Sequence, residues 1–515
     1  MNGNDGLKKK QYSASELDAL LADDVKSKTV NDEETKPPKR TYSEKLLEIV
    51  DSAGTEFFHT DRNEPFASIP VEGHCEIHSL GSKAFRARIA GWYYQSTGKT
   101  IPSNAMSEAI EVMTSSALYG DDVPVILHTR IAGTKDSLFY DLADSEWSVI
   151  HVTPGRWTVT NRLPPMFRRY THQLPQVMPQ PGGDVKEILR FVAIKKHRFL
   201  FLCWLICSFV ADIPVPILVS YGEKGSSKTT TSEFEKSLLD PSLLKTLSLT
   251  KDSRSLLVNL LEHHFVPFDN ASYIDEDTSD SLCRAITGGG IQQRTLYTND
   301  ESSIFSVQRV LAINGINNVA TRPDLLDRSI LMELERISED NRKELAEIQS
   351  DFEKAKASIL GGIFDTLAAV MEIYPSVKLS TLPRMADFAR WGFAIGEALE
   401  AGGGERFLQE YAENRETQNA EAIANDPVAA LILALMSVRN EWHGGAALLL
   451  HELRKIAPEN GVSTTVKSFP PDATRLSKRL NGIRSNLEAA GVSFERYKSN
   501  GTAGLRFTRR NQNGE

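Results

Sequence analysis

The sequence predicts an α/β protein organised around a phosphate-binding turn, and three features carry that prediction. The first runs from Ile217 to Thr230, Ile-Leu-Val-Ser-Tyr-Gly-Glu-Lys-Gly-Ser-Ser-Lys-Thr-Thr. The second is the apolar run His263-His-Phe-Val-Pro-Phe ending in Asp269-Asn270. The third is another apolar run, Val310-Leu-Ala-Ile, ending in Asn314. Short apolar runs bounded by turn residues and alternating with helical patterns read as buried strands of a mostly parallel sheet.

The first feature is justified residue by residue. Ile217 to Val219 form the strand, Gly222 and Gly225 open the loop, and Phe234, Leu238 and Leu239 fall at helical spacing beyond it. The loop backbone from Gly222 through Glu223, Lys224, Gly225, Ser226 and Ser227, with Thr230 at the helix start, can face phosphates at a helix N-terminus. Lys228 would neutralise β- and γ-phosphate charge, and the Thr229 hydroxyl would ligate Mg2+. The ligands expected are therefore ATP and Mg2+. The strict pattern has glycine where this chain has Ser227. A small residue there still lets the backbone approach a phosphate. The bland alternative is an ordinary βα turn with a surface lysine.

The second and third features supply partners for that loop. Asp269 at a strand end can hold the metal through water. Asn270 can orient an attacking water but cannot take its proton, which leaves the general base open between Glu223 and Asp275. Asn314 fits a sensor of the γ-phosphate. Downstream, Arg322-Pro-Asp-Leu-Leu-Asp-Arg328 places Arg328 just before another strand, where an arginine can reach a neighbouring subunit's site; Arg322 is the alternative. Arg384 opens a helix in an all-helical segment and could touch nucleotide from a lid.

Composition bounds the rest. With 515 residues, 41% hydrophobic and 25% charged, the chain is globular and long enough for about three or four domains. Its net charge of −9 means that nucleic-acid contact must come from local basic patches. Cys75, Cys203, Cys207 and Cys283 lack zinc spacing and fit a reducing, cytoplasmic compartment. The apolar stretch from Phe199 to Val210 is too short to cross a bilayer, so no membrane is expected.

Domain organisation follows from pattern shifts. Residues 1–45 read as a disordered tail containing a short capped helix at Ser13 to Leu21. Residues 46–180 read as an α/β module: helices at Ser82–Tyr94 and Ser103–Ala117, short strands at Ala67–Val71, Val125–His128 and Phe139–Leu142, and a hairpin around Pro154-Gly155. Pro175 to Gly183 is a linker. An ATPase core spans 181–375 and a helical lid 376–425, closing on the polar stretch Gly402 to Asn425. Residues 426–515 read as three helices and a hairpin, a winged helix-turn-helix. Its basic bias, with Arg475, Lys478, Arg479, Arg496 and Lys498 as candidate contacts, suits duplex DNA.

Taken together, these motifs resemble AAA+ ATPases of the helicase type carried by phages, plasmids and genomic islands, the superfamily 3 and MCM-like helicases. The resemblance covers roughly 190–400. MCM-like proteins also place a small residue before the loop lysine, as Ser227 does here. The segment Thr287-Gly-Gly-Gly290 with Arg294 to Glu301 looks like the hairpin such enzymes push against DNA, with Arg294 as a contact. The resemblance implies a hexameric homo-oligomer that hydrolyses ATP and moves on single-stranded or forked DNA. Two other readings share the motifs: an initiator or loader that binds origin DNA without unwinding it, and a regulatory or defence ATPase whose C-terminal module binds protein.

Overall fold

The computed structural model describes residues 40–120, 123–134, 136–164, 166–294, 302–316, 318–320, 322–338, 343–424, 426–466, 469–499 and 502–509. The helix expected at Ser13–Leu21 and the tip of the Arg294–Glu301 hairpin lie outside the described residues.

A five-stranded parallel sheet forms the centre. Its strands are β8 (Ile217–Tyr221), β9 (Leu247–Ser248), β10 (Phe265–Asp269), β13 (Val310–Gly315) and β14 (Ser329–Glu333), in the order β14-β8-β13-β10-β9. Every pairing in it is parallel. Parallel strands are covered on both faces, which is why β8, β10 and β13 read as continuous apolar runs. The helix α5 (Lys228–Leu239) follows β8, α6 (Ser253–Glu262) precedes β10, and α7 (Glu276–Thr287) leads into the hairpin β11–β12 (Gly290–Arg294, Ser302–Ser306).

The segment 46–180 divides into two physical units. One contains α1 (Tyr42–Ser52), the sheet β1-β2-β3 (Glu56–His59, Pro65–Val71, His74–Ser79), α2 (Lys83–Thr97) and α3 (Ser103–Tyr119). It has its own core around Leu46, Ile69, Phe85, Ile89 and Met113. The chain is ordered earlier than the expected tail boundary, because Thr41 and Glu44 form a capping box on α1. The second unit is the antiparallel sheet β4-β5-β6-β7 (Ile131–Thr134, Ser137–Asp141, Val149–Thr153, Arg156–Thr160). Its Leu138, Tyr140, Ile150 and Val152 belong to the same core as the parallel sheet. The strand expected at Val125–His128 is instead two isolated bridges, Thr60 with Val125 and His128 with Phe167.

Buried polar groups weld the second unit to α5. Arg130 donates to Asp240 at 3.2 Å, just past the end of α5, and to the carbonyls of Asp141, Leu174 and Pro241. Lys236 donates to the same carboxylate at 2.8 Å and to the carbonyl of Phe265 at 2.7 Å. Tyr140 and Gln176 donate to the Leu238 carbonyl. Helix ends leave carbonyls unpaired, and these groups satisfy them. The two cations hold the Asp240 carboxyl well below its ordinary range against the opposing effect of burial.

Long helices close the structure. The helix α9 (Leu345–Ile373) follows α8 (Pro323–Leu326) and β14. Together with the turn after it, α9 is long and apolar enough to cross a membrane. Its apolar face, including Phe352, Ile359, Ile363, Phe364 and Leu367, instead fills the central core. The expected linker before Gly183 lies against it, with the Gln180 amide donating to the Ala357 carbonyl. Next come α10 (Ala386–Leu399) and α11 (Gly403–Ala424). The polar stretch is therefore helical over Gly403–Ala424, packed on α10 and on β14. The C-terminal unit contains α12 (Pro427–Ser437), β15 (Glu441–Gly444), α13 (Ala446–Ile456), α14 (Ala473–Gly482), α15 (Arg484–Ala489) and the strands β16 (Val492–Ser499) and β17 (Thr502–Arg509). Its sheet order is β15-β17-β16, and its core is separate. The third helix expected there breaks at Ile483 into α14 and α15, and β15 was not foreseen.

Among the described residues several buried polar atoms lack a hydrogen-bond partner, and the carboxyl of Glu235 is the one with the largest consequence for pH. Glu235 on α5 is 1% exposed and neither carboxyl oxygen has a hydrogen-bond partner. Burial pushes its carboxyl up to about 8. An unfolded glutamate loses its proton near pH 4.5, while folded Glu235 keeps its own, so the native state holds the extra proton between those values and stability falls as pH rises. Urea unfolding should show this decline between about pH 5 and 8, on the order of a few kcal/mol, and Glu235→Gln should flatten it. Parallel slopes for the two proteins would remove Glu235 as the cause.

Candidate functional site

The site lies at the C-terminal edge of the parallel sheet, where β8 and β10 deliver their ends on either side of β13. Gly222 is required at the first turn, because a Cβ there would sit 2.5 Å from the Leu334 carbonyl oxygen. Ser227 takes a left-handed conformation, φ 56° and ψ 30°, directly before α5. Glycine adopts that conformation freely and serine does so at a cost. The backbone shape is thus the one a glycine loop would have, imposed on a serine.

The loop folds around its lysine. Lys228 Nζ donates to the carbonyls of Gly222 at 2.7 Å and Glu223 at 2.9 Å, and to Ser226 Oγ at 3.2 Å. Burial lowers its basicity, and the Asp269 carboxylate pulls the other way. Thr229 Oγ1 donates to Asp269 at 3.1 and 3.3 Å. A hydroxyl and a carboxylate from two elements 40 residues apart therefore meet beside the lysine. Hard oxygen donors of this kind suit a divalent cation such as Mg2+.

Asn270 also sits in the left-handed region, at φ 53°. Asn314 holds it there: Asn314 Oδ1 accepts from the Asn270 amide at 2.8 Å, and Asn314 Nδ2 donates to Ser232 Oγ at 3.2 Å. Asn314 is buried, with both ends of its amide committed to the protein. It therefore lies behind Asn270 and locks β10, β13 and α5 together, in place of the direct phosphate contact expected of it.

Two cavities flank the loop. One, of about 570 Å³, joins Gly225, Ser227 and Thr230 to the apolar groups of Phe191, Val192, Ile337, Leu345 and Ile348. The other, of about 580 Å³, joins Asp269 and Asn270 to Thr250, Lys251, Tyr273 and Asp275. The first cavity was missed in the sequence, because its apolar residues come from three separate segments with no local motif. Asp275 lines the second, but its carboxylate caps α7 through the Thr278 amide at 2.9 Å, a bond that keeps it ionised to lower pH. Glu223 is exposed on the loop.

The arginines lie elsewhere. Arg328 precedes β14, whose first residue pairs with Ile217 and whose last pairs with Tyr221. That places Arg328 roughly 16 Å of strand away from its own chain's loop. Its guanidinium donates to the Asp324 carbonyl at 2.9 Å. Arg384 pairs with Asp327 and lies 3.7 Å from Asp324. The same short α8 turn thus holds Arg384, expected to touch nucleotide from a lid, and Arg328. Arg322 pairs with Glu276 at 3.3 Å on α7.

The C-terminal contacts separate into two groups. Arg475, Lys478 and Lys498 are exposed. Arg479 forms an ion pair with Asp426, the residue that caps α12. Arg496 donates to the Ser477 carbonyl and Asn481 Oδ1, each at 2.9 Å. Arg479 and Arg496 therefore also tie the elements of the unit to one another. Arg294 ends β11, and its side chain lies outside the description. All four cysteines are free, Cys203 and Cys207 within the buried helix α4 (Arg198–Cys207). Among the described residues no cluster suited to a metal through histidine, cysteine and carboxylate groups occurs.

Comparison with known proteins gives two family matches. Residues 185–414 match a model described as the actinomycete integrative conjugative element replication protein. Residues 428–514 match the model of the C-terminal domain of the same RepA proteins. No curated protein matches. Solved structures of the NrS-1 C-terminal region are similar at low identity. One apo A form is 12% identical, covers 90% of this chain and 99% of that one, and has a TM-score of 0.39. A second apo structure is 12% identical, covers 92% and 100%, and has a TM-score of 0.38.

If Ser227 stores backbone strain, Ser227→Gly should raise the unfolding free energy by about 1 kcal/mol and leave the loop's ligand affinity intact. Thermal or urea melts check this, and a destabilised glycine variant would contradict it.

Proposed function

The chain belongs to the replication proteins of actinomycete integrative conjugative elements, and on that premise we propose that it is an ATP hydrolase that drives DNA unwinding or translocation as a ring of identical copies. The observation that carries the proposal is the meeting of Thr229 and Asp269 beside Lys228 at the end of a parallel sheet. The fold assignment that goes with it is a P-loop AAA+ core, a helical lid formed by α10 and α11, and a winged C-terminal unit.

The residues divide the work as follows. The loop amides and Lys228 hold the triphosphate, and the Lys228 ammonium leaves the loop carbonyls to reach it. Thr229 and Asp269 would hold Mg2+, and a metal there would supply positive charge to the phosphates. The apolar cavity beside Phe191, Leu345 and Ile348 encloses the base. Asn270, fixed by Asn314, orients the attacking water. Arg328, too far from its own loop, serves the site of the next copy, where such a group adds ~10³–10⁵ to the rate. Arg475, Lys478 and Lys498 contact the phosphate backbone of duplex DNA.

Lys228→Ala should abolish hydrolysis while leaving the fold intact by circular dichroism. ATP turnover measured with and without forked DNA, alongside strand separation, tests the motor. DNA-stimulated turnover with unwinding is expected; slow turnover with duplex binding and no unwinding would support an origin-binding initiator instead. Arg475→Ala and Lys478→Ala should each weaken DNA binding uniformly across sequences and reduce the salt slope by about one. Arg479→Ala should lower the thermal stability of the C-terminal unit, and an unchanged melting curve would contradict its structural assignment.

A further inference from the structure

The open edge of the parallel sheet is not left to water. β14 is an edge strand, and α11 lies along it with two amide side chains facing the backbone. Asn414 Oδ1 accepts from the Leu331 amide at 3.0 Å and Asn414 Nδ2 donates to the Leu331 carbonyl at 2.7 Å. The Asn414 carboxamide thus pairs with Leu331 as a neighbouring strand's peptide group would. Four residues later, Gln418 donates to the Ser329 carbonyl and, at 3.1 Å, to Asn414 Oδ1. Both amides are buried. Ser329 directly follows Arg328, and Ser329 Oγ donates to the Leu325 carbonyl of α8 at 2.6 Å. A buried pair of amides bonded to each other and to a strand edge is a rigid element, and losing one partner leaves the other's donors and acceptors unsatisfied.

We propose that Asn414 and Gln418 are positioning residues for Arg328: they fix the height of β14 at Ser329 and Leu331, one and three residues beyond it, and so set where its guanidinium meets the adjoining copy. This rests on the reading of Arg328 as a group that acts in the next subunit's site. Among the described residues neither amide bonds to the loop or to Asp269, and neither lines a flanking cavity. The effect of removing them should therefore fall on hydrolysis in the neighbouring site and leave nucleotide binding in their own.

Mixing of inactive variants tests this. Gln418→Ala removes one hydrogen-bonding group. Asn414→Leu removes a pair and serves as the stronger variant if melts show that it folds. Each should bind a fluorescent ATP analogue within about twofold of wild type and hydrolyse ATP at least tenfold more slowly. A Lys228→Ala copy has a dead loop but an intact Arg328. Mixed with it, each amide variant should regain turnover, because its own loop is then served by a sound arginine. Arg328→Ala mixed with Lys228→Ala is the reference. If that reference regains turnover and the amide variants do not, the positioning proposal is overturned and the Arg328 reading stands. If the reference itself regains nothing while its copies co-assemble, the reading of Arg328 fails, and the proposal with it. Weakened analogue binding by Gln418→Ala would also overturn the proposal, since it would place the effect in the variant's own loop.

Discussion

The hydroxyl of Thr229 donating to the carboxylate of Asp269 is the contact around which the rest of the molecule is arranged. It requires β8 and β10 to end at the same level with one strand between them, and the parallel register through β13 provides that. It requires α5 to start where the loop stops, which the left-handed turn at Ser227 provides. It also requires the far end of α5 to be held, because a helix that could slide would carry Thr229 with it. Asp240, gripped by Arg130 and Lys236, is that hold. Breaking one partner of a buried ion pair leaves a charge without compensation, so the grip is stiff.

Seen this way, the β4–β7 sheet is part of the same body as the parallel sheet. Arg130 and Tyr140 reach the end of α5, and Trp157 donates to Asp365 on α9 at 2.7 Å. The preceding unit around α1–α3 is different: it has its own core and touches the hairpin base through Arg62, which donates to the Ser306 carbonyl at 2.9 Å. The C-terminal unit is likewise separate in its core but tied to α11 through Asn486 donating to Asn419. One helix thereby meets both the C-terminal unit and the strand that follows Arg328.

Much of the site was legible because its chemistry is local. The loop, Lys228, Thr229 and Asp269 announce themselves by residue type and by the apolar strands before them, and α2, α3 and the β6–β7 hairpin by periodicity. What was not legible depends on partners distant in sequence. Gly402–Asn425 looked like a polar boundary because Asn414 and Gln418 carry no hydropathy signal, yet they are buried against a strand edge. Asn314 read as a sensor because it ends a strand, and only the fold shows its amide spent on Asn270 and Ser232. Arg384 read as a lid arginine from its helix start, and Arg479 and Arg496 as DNA contacts from charge. The carboxylate of Asp327, the carboxylate of Asp426 and the carbonyl of Ser477 that engage them come from other elements. Val125–His128 has strand-like alternation, but among the described residues it pairs only through the single bridges of Val125 with Thr60 and His128 with Phe167.

On the proposed function, a triphosphate binds between one copy's loop and the next copy's arginine. A structure of the assembled protein with a non-hydrolysable ATP analogue and Mg2+ tests it most directly. The expected result has the phosphates along 222–229, the metal between Thr229 and Asp269, and Arg328 of the adjoining copy at the γ-phosphate. An analogue bound elsewhere, or an assembly in which Arg328 faces solvent away from every loop, would contradict it.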